Sequence, residues 1–241
     1  LFFTRRGGVS GEPFEELNVG LDTNDYMPAV EENRERVARL IGIPRDHWLE
    51  NKQVHGSDVR VVTELPAAGA DPVEADGIAT TLEDVAAVVV TADCLPVALI
   101  APEAVAMIHA GWRGLAADVL KRGVEQLREA GVEGDIHAAI GPGIGVCCYE
   151  VNTHVHRAFM RYGRGTARLS NHAHLKSIAR LQMQAAGIPL DHVHDVDICT
   201  MCAPRSLFHS HRRDHGQDPK DTGRQASAVW RVGDDGGAWP S

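Results

Sequence analysis

Between Val85 and Ile100 the chain is almost continuously apolar, and Asp93 and Pro96 break the run. The stretch is too short and too interrupted to span a bilayer. Its richness in Val predicts two buried strands instead, Ala86–Thr91 and Leu95–Ile100. A third strand, Val105–His109, follows and ends in His109-Ala110-Gly111-Trp112-Arg113-Gly114. A chain with this centre is organised around a sheet.

The flanking segments supply helices and shorter strands. Pro28–Ile41 carries Val30, Val37, Leu40 and Ile41 between charges, an amphipathic helix ended by Gly42. A helix from about Leu115 to Ala130 places Val119, Val124 and Leu127 on one face. Further helices are expected over Val151–Tyr162 and Asn171–Ala186, the latter capped by Ser170. Short strands are predicted at Val59–Thr63, Ile136–Ile140, Val193–Ile198 and Ser227–Val232. Helices and strands mix without strict alternation, so the expected class is an α/β or α+β sheet domain. Gly and Pro are scattered rather than gathered into a linker, which predicts one domain over residues 1–241, with 233–241 as a loose tail.

Composition narrows the function classes. Lys plus Arg number 24 against 33 Asp plus Glu, a net charge of -9. That balance argues against a dedicated nucleic-acid binder, which needs a basic surface. No basic segment followed by an apolar stretch opens the chain, so a cytoplasmic location without membrane attachment is expected. The five cysteines, Cys94, Cys147, Cys148, Cys199 and Cys202, are irregularly spaced and do not read as a disulfide framework. A reducing compartment suits them. Thirteen histidines exceed what a chain of 241 residues needs and hint at metal or acid–base chemistry.

Three segments put a metal-capable or nucleophilic side chain at a strand end or in a glycine-bearing turn. They are Gln53-Val54-His55-Gly56, Thr91-Ala92-Asp93-Cys94-Leu95-Pro96 and His109-Ala110-Gly111-Trp112-Arg113-Gly114. Zinc takes imidazole nitrogen and thiolate, and catalytic zinc sites use three protein ligands and keep a fourth position open. His55, Cys94 and His109 make such a set, although a Cys–His nucleophilic pair would use the same residues. Spacing alone leaves both readings open, beside a third in which Cys94 is a small buried hydrophobe. Asp93 adds weight to a functional site, because a charge inside a buried run must be paired or used. Arg113 opens the next predicted helix, where a guanidinium can hold an anion.

Other motifs carry less. Gly141-Pro142-Gly143-Ile144-Gly145 lacks a full phosphate-binding pattern and reads as a tight turn. The pairs His154/His156, His172/His174, His192/His194 and His209/His211 invite a multicopper reading, but no blue-copper arrangement of Cys, His and Met accompanies them. Most are expected at the surface. Cys199-Thr200-Met201-Cys202 has no second pair in the sequence to complete a zinc site. Neither the zinc nucleobase-deaminase signature nor a Gly-x-Ser-x-Gly elbow occurs.

Taken together with Arg6-Gly7-Gly8-Val9-Ser10, Ala75-Asp76-Gly77, Cys148-Tyr149-Glu150-Val151, Arg212-Arg213-Asp214 and Gly223-Arg224-Gln225, these motifs cover nearly the whole chain. In that order they closely resemble the laccase-domain family, whose members have been called polyphenol oxidases and purine nucleoside phosphorylases. The resemblance implies a four-layer α/β/β/α fold with mixed sheets. It implies one zinc held by His55, Cys94 and His109; a mechanism consistent with these residues has Arg113 neutralising an oxyanion. The resemblance also implies cleavage of adenosine, inosine and methylthioadenosine with phosphate, with adenosine deamination as a second activity. Two rivals stand beside it: a copper-dependent oxidase of phenols, and a hydrolase editing cell-wall precursors with Cys94 as nucleophile. Purine nucleoside and phosphate are the expected partners, and a monomer is the default assembly.

Overall fold

The computed structural model describes residues 1–67, 69–163, 168–169 and 171–233. In chain order it contains α1 (Met27–Ile41), β1 (Trp48–Leu49), β2 (Val59–Val62), β3 (Gly77–Thr80), β4 (Ala86–Thr91), β5 (Leu95–Ile100) and β6 (Val105–Ala110). There follow α2 (Trp112–Ala116), α3 (Val119–Glu129), β7 (His137–Ile140), α4 (Thr153–Ala158), β8 (Arg168–Leu169) and β9 (His172–Ala173). The last elements are α5 (Leu175–Ala185), β10 (Val193–Asp195), α6 (His211–Asp214) and β11 (Gln225–Val229).

The apolar run at the centre forms its two predicted strands, but they enter different sheets. β4 is the middle of a three-stranded sheet ordered β1-β4-β11, parallel to β1 and antiparallel to β11. β5 lies within a six-stranded sheet ordered β10-β7-β5-β6-β3-β2. Its neighbours β6 and β7 are antiparallel to it, while the β2–β3 and β10–β7 pairs are parallel. Both sheets are therefore mixed. The crossing between them is made at Asp93, whose φ of 84° turns the chain sharply.

Alternation along each strand shows why these runs are apolar throughout. Ala86 and Val88 of β4 pack with Val37, Ala38 and Ile41 of α1, whereas Ala87 and Val89 face the other sheet. There they meet Ile78, Ala98 and Met107. Leu95, Val97 and Leu99 of β5 point the opposite way, into a cluster with Leu120, Val124 and Leu127 of α3 and Ile178 and Met183 of α5. The order of layers is α1, three-stranded sheet, six-stranded sheet, then α3 with α5. This is the expected four-layer arrangement, and each sheet is covered on both faces.

Several element bounds differ from expectation. The single helix predicted over Leu115–Ala130 is two, α2 and α3, because Asp118 adopts φ 61° and breaks the helical path. Its carboxylate accepts from Arg161 at 2.7 Å and from the Tyr162 hydroxyl at 2.6 Å, which holds the break. The Val151–Tyr162 helix contracts to α4 and a short 3-10 turn at Met160–Tyr162. α5 starts at Leu175 because His172 and Ala173 are taken by a strand pair with Arg168 and Leu169. The cap is the His174 side chain, which accepts from the Ser177 amide; Ser170, the expected cap, lies outside the described residues. β10 ends at Asp195, and the last strand is displaced to Gln225–Val229. β3, Gly77–Thr80, is not among the expected strands. Residues 234–241 of the expected tail also lie outside the described residues. No helix among the described residues is long and apolar enough to cross a membrane.

Candidate metal centre

Strand register assembles the centre. β5 and β6 pair with Leu95 opposite Ala110 and Pro96 opposite His109, so Cys94, just before β5, falls beside the end of β6. β3 pairs with β6 on the other side, Gly77 opposite Ile108, which brings Asp76 next to His109. The His109 amide donates to the Asp76 carbonyl at 2.7 Å. His55 arrives from the loop before β2. Gln53 ties that loop to β4, donating from its side-chain amide to the Val90 carbonyl at 2.9 Å and accepting from the Val90 amide at 2.8 Å.

The Asp76 carboxylate organises the loop and the strand together. It is buried and accepts from the backbone amides of Val54 at 3.2 Å, His55 at 2.9 Å and Gly56 at 2.5 Å. Its Oδ1 also lies 2.7 Å from His109 Nδ1. This contact sets the orientation of the ring and leaves its second nitrogen for another partner. His55 holds a left-handed backbone, φ 60°, that a non-glycine residue adopts only when its surroundings impose it.

The ligand atoms of His55, Cys94 and His109 all lie within 4.8 Å of one another. The two imidazoles meet edge to face with centroids 4.8 Å apart. His109 is buried, Cys94 half-buried and His55 exposed, so the group opens to solvent on one side. Gly111 closes the other side. A Cβ there would sit 3.0 Å from Cys94 Sγ and 3.1 Å from His55 Cδ2. Burial pushes the Cys94 thiol up, but His109 and then His55 outweigh it and bring it down to about 6. Burial pushes His109 down, and Cys94 with Asp76 reverse this and raise it to about 9. A thiolate beside a protonated imidazole has the polarity expected where a cation would replace the proton. One soft thiolate, two imidazoles and an anchored outer carboxylate fit a metal ion.

Asp93 is paired rather than free. Its Oδ1 accepts from the Thr200 hydroxyl and its Oδ2 from the Arg212 amide, both at 2.6 Å. It thus locks the turn that presents Cys94. Arg113 is exposed, with its guanidinium over the Trp112 ring at 4.5 Å. The helix it opens, α2, is five residues long. Sequence reasoning assigned no part to Tyr149, Arg212 or Arg224. Burial raises the Tyr149 phenol; Cys94 and Asp93 raise it further, and Arg212 and Arg113 oppose them. Arg224, lowered by burial, is held up by Cys94, Asp22 and Asp93. Arg224 and Tyr149 therefore feel the charge of Cys94, while Arg113 and Arg212 act on Tyr149. Among the paired histidines, His209 is no surface residue: it is 1% exposed, and burial brings it down to about 3.

Comparison with known proteins agrees with this architecture. A family model described as multi-copper polyphenol oxidoreductase laccase matches residues 1–232. The chain is 37% identical over 246 residues to the purine nucleoside phosphorylase YlmD of Geobacillus stearothermophilus, covering 95% of this chain and 88% of that one. It is 38% identical over 236 residues to the purine nucleoside phosphorylase YfiH of Escherichia coli K12, covering 95% and 92%. The crystal structure of the hypothetical protein YfiH of Bacillus licheniformis superposes with a TM-score of 0.88 at 34% identity, over 95% of this chain and 91% of that one. With its four layers, its motifs in order and matches of this extent, the chain belongs to the laccase-domain family.

Proposed function

We propose that this chain is a zinc-dependent purine nucleoside phosphorylase. It cleaves adenosine, inosine and methylthioadenosine with phosphate, giving the free base and the pentose 1-phosphate, and deaminates adenosine as a second activity. The observation that carries this reading is the convergence of His55, Cys94 and His109 within 4.8 Å, in a chain whose relatives bear the phosphorylase name. His55, Cys94 and His109 would hold the zinc, which when bound supplies Lewis-acid polarisation at an open position.

The chain's own groups supply the rest. Asp76 keeps the His109 proton on Nδ1 and the ring aimed at the centre. Arg113, with Arg212 and Arg224 nearby, offers positive charge to an incoming phosphate. An anion held beside the sugar would stabilise the cationic character that develops as the glycosidic bond breaks. Phosphate supplies the attacking oxygen, and the purine leaves with the bonding pair.

Chromatography of zinc-loaded protein incubated with adenosine, with and without phosphate, tests the proposal. Adenine and ribose 1-phosphate formed only with phosphate support phosphorolysis, and inosine formed in both samples supports deamination. Neither product from a zinc-loaded chain would overturn the reading. The Cys94→Ala chain should lose zinc and turnover together; an active, zinc-free Cys94→Ala protein would remove the metal from the proposal.

A further inference from the structure

Four of the five cysteines lie outside the centre just described, and the fold gathers all four. Cys147 and Cys148 follow the glycine turn after β7, while Cys199 and Cys202 lie beyond β10. A parallel bridge between Gly143 and Cys199 fastens the two segments. Its bonds run from the Gly143 amide to the Ile198 carbonyl at 3.2 Å and from the Thr200 amide to the Gly143 carbonyl at 3.1 Å. The four sulfur atoms all lie within 4.8 Å of one another. Cys202 Sγ is 3.3 Å from Cys147 Sγ and 3.2 Å from Cys148 Sγ.

We propose that Cys147, Cys148, Cys199 and Cys202 form a second metal site, a four-thiolate zinc site with a structural role. It stands independently of the phosphorylase reading. Zinc–sulfur bonds of about 2.3 Å place the sulfurs of a tetrahedron about 3.8 Å apart. The two contacts of Cys202, at 3.3 and 3.2 Å, are somewhat shorter, and all four sulfurs stay within 4.8 Å of one another. Cys199 Sγ accepts backbone N–H bonds from Gly145 at 3.2 Å and from Cys202 at 3.5 Å. Amides aimed at sulfur favour the thiolate that a metal requires. Gly145 sits close against the sulfurs: a Cβ there would lie 3.1 Å from both Cys147 Sγ and Cys199 Cβ and would press them aside. Cys147 and Cys202 are exposed, so an ion reaches the site from solvent. Four protein ligands close the coordination sphere, which marks a structural rather than a catalytic zinc.

Such an ion would join two segments that both touch the first centre. Thr200, inside the Cys199–Cys202 turn, donates to the Asp93 carboxylate beside Cys94. The Ile144 amide, from the glycine turn, donates to the Asp93 carbonyl at 2.8 Å. The four-thiolate site therefore braces the wall from which Cys94 projects.

Metal analysis of the reduced full chain, saturated with zinc and freed of excess, tests this. The expected content is about two zinc ions per chain, falling to about one in Cys199→Ser/Cys202→Ser and to about one in His55→Ala/His109→Ala. The loss of one ion specifically in Cys199→Ser/Cys202→Ser tests this site alone, whether or not the first centre holds zinc or the chain makes phosphorolysis products. If the serine variant does not fold, alkylation of the unaltered chain decides. Zinc should slow labelling of Cys147, Cys148, Cys199 and Cys202 by about tenfold or more, located by peptide mass spectrometry. Full labelling of the four in zinc-saturated protein would overturn the proposal. A Cys202 disulfide to Cys147 or Cys148 in the purified chain, with no second zinc bound after reduction, would overturn it as well.

Discussion

Asp76 shows how much one side chain decides at the residue scale. Its carboxylate gathers three consecutive loop amides and one imidazole, so a single buried charge fixes both histidines of the centre. Removing one oxygen should loosen both. Asp76→Asn is expected to weaken metal binding by about 10- to 100-fold, measured by competition with a chelator, and unchanged affinity would refute this role. Gly111 acts by having no side chain. A methyl group there meets Cys94 Sγ and His55 Cδ2 at contact distances too short to keep. Gly111→Ala should lose metal while retaining native circular dichroism; a variant that binds metal normally would show that the ligands can move aside. Both residues stood in recognisable motifs, Ala75-Asp76-Gly77 and His109-Ala110-Gly111. Neither announced its task, because a hydrogen bond to a distant ring leaves no local pattern.

Several elements were legible in local sequence pattern. β4 and β5 formed with their expected bounds, and α1 ended at Gly42, whose φ of 72° is the left-handed cap its position predicts. The failure at Leu115–Ala130 is instructive. Helical periodicity continues across Asp118, yet the chain breaks there, because Arg161 and Tyr162 hold the carboxylate outside a helical path. A distant contact overrides a local preference. Asp118→Ala keeps the strained φ and loses the acceptor, so a destabilisation of about 1–3 kcal/mol is expected in denaturant unfolding. Asp118→Gly, which tolerates that φ, should cost less. An equal loss in the two variants would show that backbone strain contributes nothing.

The whole molecule responds to pH through a group that belongs to no single element. His209 packs at the junction of the N-terminal loop and the segment before β11, where its amide donates to the Gln225 side chain at 2.9 Å. Burial, reinforced by Arg5 and Arg224 against Asp214, brings its imidazole down to about 3. Between that value and the ordinary 6.5, the unfolded chain binds a proton that the folded chain refuses. The contribution is fully present above about pH 6.5 and is lost as pH falls toward 3, by up to about 1.4 kcal/mol per pH unit. Unfolding midpoints measured from pH 7 to pH 4 should decline, and His209→Gln should flatten the decline. An identical slope in that variant would exclude His209 as its source.

At the same scale lies the division between local and global information. The strands Ala86–Thr91 and Leu95–Ile100, the helix ending at Gly42 and the glycine turns follow from the sequence itself, because periodicity and backbone preference act over a few residues. The same information marked His55, Cys94 and His109 as metal-capable and left their meeting open. Only the tertiary structure decided that β4 and β5, both apolar runs, enter different sheets. Only it set the registers that put His109 opposite Pro96 and Asp76 beside His109. The physical reason is that register depends on which faces are covered and by what, a property of the packed layers that no short segment encodes.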